Sequence, residues 1–166
     1  MSTAERMMVV STVDNLHVGD EFESIPTHLT ITPWFNLPVE SYEYFNSEVE
    51  EIMLEDHFVP TSGGVSDNFG PDNSLPVRRL NAPDEFTLMR VFPVHARVFS
   101  LAQYLDPSID GTYAGLNYAP HISDSAERAI AEDEVIKFNN LTVFEKRAAT
   151  GRKLVRAIHI WENVRG

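Results

Sequence analysis

The sequence predicts a mixed fold, α/β or α+β, rather than a helical bundle or a β-sandwich. Three observations carry that expectation. Residues Thr27 to Phe35 alternate apolar and polar side chains, the period of a strand. After Pro38 the period changes: Val39, Tyr42, Phe45, Val49 and Ile52 recur at steps of three or four, which gathers them on one helical face. The chain then closes with two strand-like segments, Val135 to Lys146 and Lys153 to Trp161, joined around Thr150-Gly151 as a hairpin.

The other elements follow in order. Met7 to Thr12 is a short β-prone run, followed by a polar, acidic stretch from Asp14 to Glu23. Within the alternating segment Leu29 and Ile31 point one way, and His28, Thr30 and Thr32 the other. Pro33 should end the central pairing, because it donates no backbone hydrogen bond. On the first helix Glu48, Glu50, Glu51 and Glu55 fall on the solvated side. Phe58-Val59-Pro60 reads as the start of another strand. Gly63 to Ser74 is rich in Gly, Asp, Asn and Ser and reads as a long loop. Leu75 to Leu80 and Phe86 to Val91 read as short strands, with Asn81 to Asp84 turning between them. Val94 to Leu105 is a second helix, with Val98, Leu101, Ala102 and Leu105 on one side and Asp106-Pro107 as its stop. Gly111 to Asn117 is a loop, and Tyr118 to Ile122 enters a strand. Asp124-Ser125-Ala126-Glu127 has the pattern of a capping box, for a short helix ending near Glu132. His159 sits in the last alternating strand, where Ile158 and Ile160 are expected to face the core.

Composition restricts the function classes. The chain has 166 residues, the size of one domain or of two small lobes with a shared core, and 43% of them are apolar, enough for a real core. There is no cysteine, which excludes disulfides, thiolate metal sites and cysteine nucleophiles. No apolar run is long enough to span a membrane, and the N-terminus lacks the pattern of a secretory signal, so a cytoplasmic protein is expected. Thirteen basic residues face 25 acidic ones, a formal net charge of -12. Such a surface repels long polyanions. A long nucleic-acid track is not expected; a small phosphorylated ligand in a locally basic cleft is compatible with it.

One pattern occurs twice: His28-Leu29-Thr30 and His121-Ile122-Ser123. On a strand, residues i and i+2 share a face, so His28 with Thr30, and His121 with Ser123, point together. Histidine exchanges protons near neutral pH. In-line phosphoryl transfer needs a base on one side of the phosphorus and an acid on the other, and hydroxyls can donate to the non-bridging oxygens as they gain charge. A lone strand histidine is more often structural, and His17, His57, His95 and His159, which lack the hydroxyl two residues on, are read that way. The competing chemistry is a metal site built from His28, His121 and Asp124. It leaves both hydroxyls unexplained, and no compact ligand motif such as H-E-x-x-H is present. Gly63-Gly64 lacks the Lys-Ser/Thr of a triphosphate-binding loop.

The two motifs are separated by 121 minus 28, or 93, residues. With Thr27-His28-Leu29-Thr30-Ile31-Thr32-Pro33-Trp34-Phe35 and the Pro120 before His121, they resemble the 2H phosphoesterase superfamily, also called LigT-like or 2′-5′ RNA ligase-like. The order of elements matches over roughly residues 7 to 161. Asp124 departs from the pattern, since an apolar strand residue often follows the second motif there. The resemblance implies an α+β domain over residues 1–166, two-lobed and duplicated. Antiparallel sheets would flank a central cleft, with helices on the outer faces. Each lobe would supply one histidine and one hydroxyl, so the implied catalytic set is His28, Thr30, His121 and Ser123. It also implies no metal and no cofactor.

The expected activity is hydrolysis of a small nucleotide phosphodiester: a 2′,3′-cyclic phosphate, a 2′-5′ linked short oligonucleotide or a cyclic nucleotide. The alternatives are 2′-5′ RNA ligation, the reverse chemistry, and nucleotide binding without turnover. Base recognition needs an aromatic wall near the catalytic strands. Trp34, Phe35 and Tyr118 are the nearest candidates, with the hydrophobic core as the alternative for each. Arg78, Arg79 or Arg90 could supply positive charge, a surface ion pair being the default for each.

Overall fold

The computed structural model describes residues 3–55, 61–62, 66–69, 75–79, 85–112, 114, 118, 121–123, 135–136 and 138–161. For 61–62, 66–69, 75–79, 85–91, 121–123 and 135–136 it describes the backbone. The strands are β1 (Ala4–Thr12), β2 (Glu21–Phe22), β3 (His28–Thr30), β4 (Phe35–Pro38), β5 (Thr61–Ser62), β6 (Ser66–Phe69), β7 (Leu75–Arg79), β8 (His121–Ser123), β9 (Val135–Ile136), β10 (Asn140–Lys146) and β11 (Lys153–Ile160). A 3₁₀ turn at Val39–Ser41 leads into α1 (Tyr42–Glu55), and α2 spans Glu85–Leu105.

The fold is α+β. Among the described residues, nine strands form one sheet in the order β2-β11-β10-β1-β3-β8-β7-β6, with β4 also paired to β1, while β5 and β9 pair apart. Every pairing among the described residues is antiparallel. Where two flanking sheets are expected, one sheet runs through both halves of the chain, and β3 and β8 are neighbours near its middle.

Strand alternation sorts the sheet into two faces. On one, Met7, Val9, Leu29, Phe35, Leu37, Leu141 and Val143 pack with Phe45, Val49, Ile52 and Met53 of α1 and with Val94, Val98 and Ala102 of α2. The other face carries a smaller cluster of Val10, Phe144 and Val155, with Met8, Phe22 and Trp34 packed on it. Ile158 packs on this smaller cluster as expected, but His159 is buried as well. It pairs with Leu141 and lies on the helix-covered face, with Nε2 2.9 Å from Asn46 Oδ1. Ile160 is 60% exposed instead.

The strand expected from Thr27 to Phe35 is broken in two. β3 and β4 lie one after the other along the same edge of β1, pairing Thr30 with Val10 and Phe35 with Met7. Between them the Ile31 and Thr32 amides share the Val9 carbonyl (2.9 and 3.0 Å). The Thr32 hydroxyl accepts from Val9 N at 3.1 Å. Thr32 is thereby wholly buried rather than aligned with His28. The bend precedes Pro33, which could not have donated to the ladder.

Two further expectations change. Phe86 to Val91, β-prone by composition, belongs to α2, which continues through Pro93. Proline removes a single backbone donor, and the burial of Val94, Val98 and Ala102 beyond it outweighs that loss. Ser66–Phe69, expected within a long loop, is the hairpin partner of β7; pairing overrides weak local propensity. Residue 80, Phe58-Val59-Pro60, the capping box and helix at 124–132, and segments 63–65, 70–74, 81–84 and 115–117 lie outside the described residues. No helix among the described residues is long and apolar enough to cross a membrane.

Asp106, just beyond α2, ties that helix to β4. Its carboxylate accepts from Asn36 N at 2.8 Å and from Ser108 N and Oγ at 3.1 and 2.6 Å. Burial raises the Asp106 pKa, but these hydrogen bonds and the Arg6 charge outweigh it, so the net shift is downward. A lowered folded pKa favours the charged state, so its stabilisation is complete above the ordinary value of 3.8 and fades as pH falls through the folded value. Asp106→Ala is therefore expected to lower stability by about 2–3 kcal/mol at neutral pH. Urea melts of both proteins should converge on acidification; a difference that grows as pH falls would contradict this.

Candidate active site

β3 is a central strand, held between β1 and β8, and its three residues carry the first motif. Leu29 is wholly buried on the helix side. His28 and Thr30 consequently lie on the opposite face, opposite Thr12 and Val10 of β1. His28 is 9% exposed, and its Nδ1 lies 2.8 Å from the Pro26 carbonyl oxygen. A carbonyl only accepts, so Nδ1 carries the proton and the neutral ring has its lone pair on Nε2.

The second motif is paired directly with the first. His28 opposes Ser123, and Leu29 opposes Ile122. Continuing the register by one step sets Thr30 beside His121. Opposed residues of an antiparallel pair share a face, so positions 28, 30, 121 and 123 form a four-cornered patch. The two histidine positions occupy one diagonal and the two hydroxyl positions the other. Diagonal neighbours are about 7–8 Å apart at Cα. Two copies of one motif on antiparallel neighbours are related by a local two-fold axis.

The next strand separates the two arginines. Arg79 pairs with His121 and Arg78 with Ile122, so position 79 belongs to the histidine face and position 78 to the helix-covered face. The aromatic candidates separate as well. Trp34 is half-buried against the cluster of Val10, the cross-strand neighbour of Thr30. Phe35 is a core residue and not a ligand wall: it is wholly buried, with its ring centroid 5.5 Å from that of Phe45. Tyr118 also lies behind the site, packed on the helix-side core, and its hydroxyl donates to the Thr30 carbonyl at 2.7 Å.

Residues missed in the sequence surround the first motif. Thr12, opposite His28, is buried with Asn140. Asn140 Oδ1 accepts from Thr12 N at 3.1 Å and from Thr142 Oγ1 at 2.8 Å, and Asn140 Nδ2 donates to the Thr12 carbonyl at 3.0 Å. The polar positions Asn140 and Thr142, alternating with Leu141 and Val143, were the available signal. His95 is buried too, with its ring on Tyr118. Among the described residues no three His, Asp or Glu side chains gather to hold a metal. Asp124 lies outside those residues.

No family model matches this sequence, and no curated protein does. Solved structures do. E. coli LigT complexed with 3′-AMP superposes with a TM-score of 0.60 at 10% identity, covering 96% of this chain and 99% of that one. The chain has the LigT fold. The same protein complexed with NADP+ gives a TM-score of 0.56 at 10% identity, covering 93% and 99% of the two chains. LigT complexed with ATP gives 0.53 at 10% identity, covering 95% and 98%. The resemblance carried by the two motifs thus agrees with the LigT fold over nearly the whole length of both chains.

Proposed function

We propose that this chain is a metal-independent 2H-type phosphodiesterase that hydrolyses a small nucleotide. The observation that carries the reading is the antiparallel pairing of His28-Leu29-Thr30 with His121-Ile122-Ser123 at the middle of a LigT-type sheet. The nucleotides bound to LigT, 3′-AMP, NADP+ and ATP, support a substrate of that size. On this reading residues 1–166 act as one duplicated, two-lobed domain, each half contributing one motif.

The mechanism follows from the four-cornered patch. For a 2′,3′-cyclic phosphate, one imidazole takes a proton from water as the water oxygen bonds to phosphorus. The other imidazole protonates the ribose oxygen as its bond to phosphorus breaks, which leaves a phosphomonoester and a free hydroxyl. Proton transfer of this kind contributes about 10²–10⁴-fold. Thr30 and Ser123 donate to the non-bridging oxygens, and Arg79 adds positive charge on the same face. Trp34 offers a wall for the base.

The test is a screen of 2′,3′-cyclic nucleotides, 2′-5′ linked dinucleotides and cyclic nucleotides, with EDTA present. Turnover that persists in EDTA is expected. Loss of turnover in EDTA would point to a metalloenzyme, and binding without turnover to a nucleotide-binding protein. The net charge of -12 sets a further expectation. Lengthening a substrate beyond about four nucleotides should raise kcat/KM little, with a salt slope equivalent to about one or two phosphate contacts. A gain rising steadily with length, with a steepening salt slope, would favour RNA processing or ligation.

A further inference from the structure

β3 leaves the sheet immediately after Thr30, so the carbonyls of Thr30 and Ile31 sit where its regular pairing ends. Two side chains take them from the helix side. The Tyr118 hydroxyl donates to Thr30 O at 2.7 Å, and His95 Nδ1 lies 2.7 Å from Ile31 O, as the donor. The two rings are stacked, with centroids 3.7 Å apart and planes 3° from parallel. Phe92 packs edge-on against Tyr118 at 5.7 Å, and Phe99 lies 5.7 Å from His95. His95 comes from the middle of α2, a rigid support, and Tyr118 stands three residues before His121.

We infer that Tyr118 and His95 are positioning residues: a stacked pair that grips consecutive carbonyls of the first motif and, through the short Tyr118–His121 connection, sets its alignment with the second. This rests on the proposed phosphodiesterase reading. One aromatic pair thus acts on both motifs. Its hydrogen bonds fix the backbone of Thr30, and the chain leaving Tyr118 begins β8 within three residues. Burial pushes the Tyr118 hydroxyl far above its ordinary range, so it remains a donor. Burial lowers the His95 pKa, more than its bond to Ile31 raises it, and keeps the ring neutral. A few tenths of an ångström at Thr30 matters more in the transition state than in the bound substrate, because the hydroxyl must meet charge that develops only there.

The test is a double-mutant cycle between Tyr118→Phe, which keeps the ring stack and removes one hydrogen bond, and Thr30→Ala. Tyr118→Phe should lower kcat on a 2′,3′-cyclic nucleotide about tenfold with KM nearly unchanged, and by less than about twofold in the Thr30→Ala background, because coupled residues do not add. Equal losses in both backgrounds, or a loss confined to KM, would overturn the inference. Hydrogen exchange reads the same positioning without turnover. The His28 and Ser123 amides, which face each other between β3 and β8, should exchange about tenfold faster in Tyr118→Phe and in His95→Leu, since the strand pair is less well held. Unchanged exchange in both variants would overturn the inference even if no nucleotide is hydrolysed. Normal exchange protection in a wild-type protein that turns over no nucleotide, lost in both variants, would uphold the pair and reject the phosphodiesterase reading alone.

Discussion

Replacing His28 by alanine is expected to lower kcat on a 2′,3′-cyclic nucleotide by about 10²–10⁴-fold. The effect is large because an imidazole whose Nδ1 proton is committed to the Pro26 carbonyl is set to exchange protons at Nε2, and water does so poorly. Stability should fall as well, because the variant loses the hydrogen bond to Pro26, about 1 kcal/mol, together with the packing of a ring that is only 9% exposed. Thr30→Ala should cost less, about 2–4 kcal/mol of transition-state stabilisation, since it removes one donor and leaves proton transfer intact. The check is steady-state kinetics on folded variants. A Thr30→Ala variant more damaged than His28→Ala would move the chemistry from the imidazole to the hydroxyl.

Phe35→Ala is expected to give the largest loss of stability, about 3–5 kcal/mol, or about 6–20 °C in Tm. Phe35 is wholly buried, opposite Met7 on β1 and against Phe45 of α1. No smaller side chain fills that space, and the surrounding sheet and helix collapse only partly into the cavity. In urea the midpoint should fall with little change in slope. The KM of the remaining folded enzyme should be near that of the wild type, because the ring lies on the helix side of the sheet. Near-normal stability with a raised KM would return Phe35 to the ligand wall.

Much of the fold was legible because local periods survive folding. The alternation around Leu29, the helical stripe through Phe45 and Val49, and the terminal hairpin all rest on near neighbours in sequence. The Gly151 turn is such a case: its φ of +71° is a conformation glycine adopts without strain. What failed depends on distant partners. Phe86 to Val91 is β-prone, but it belongs to the helix that buries Val94, Val98 and Ala102. The polar run Ser66–Phe69 becomes a strand only because Leu75–Arg79 pairs with it. Ile158 and Ile160 alternate with His159 as expected, but alternation alone does not say which face the helices cover.

The candidate site divides in the same way. The motifs announced His28 and His121, while the register His28 to Ser123 belongs to two segments far apart in the chain. Trp34 and Phe35 are adjacent in sequence and lie against different clusters. Arg78 and Arg79 are separated by the pairing of β7 with β8. The bracing of Thr30 by Tyr118 crosses from one half of the chain to the other, and no local pattern marks it.

The central claim is that His28 and His121 act as one unit on a single phosphate. The measurement that tests it most directly is the kcat of His28→Ala, His121→Ala and the double variant on one 2′,3′-cyclic nucleotide in EDTA. Residues that act as a unit are strongly non-additive, so the double variant should be slower than the worse single variant by no more than a few-fold. Losses that multiply in the double variant, or single variants that keep near-normal rates, would contradict the account.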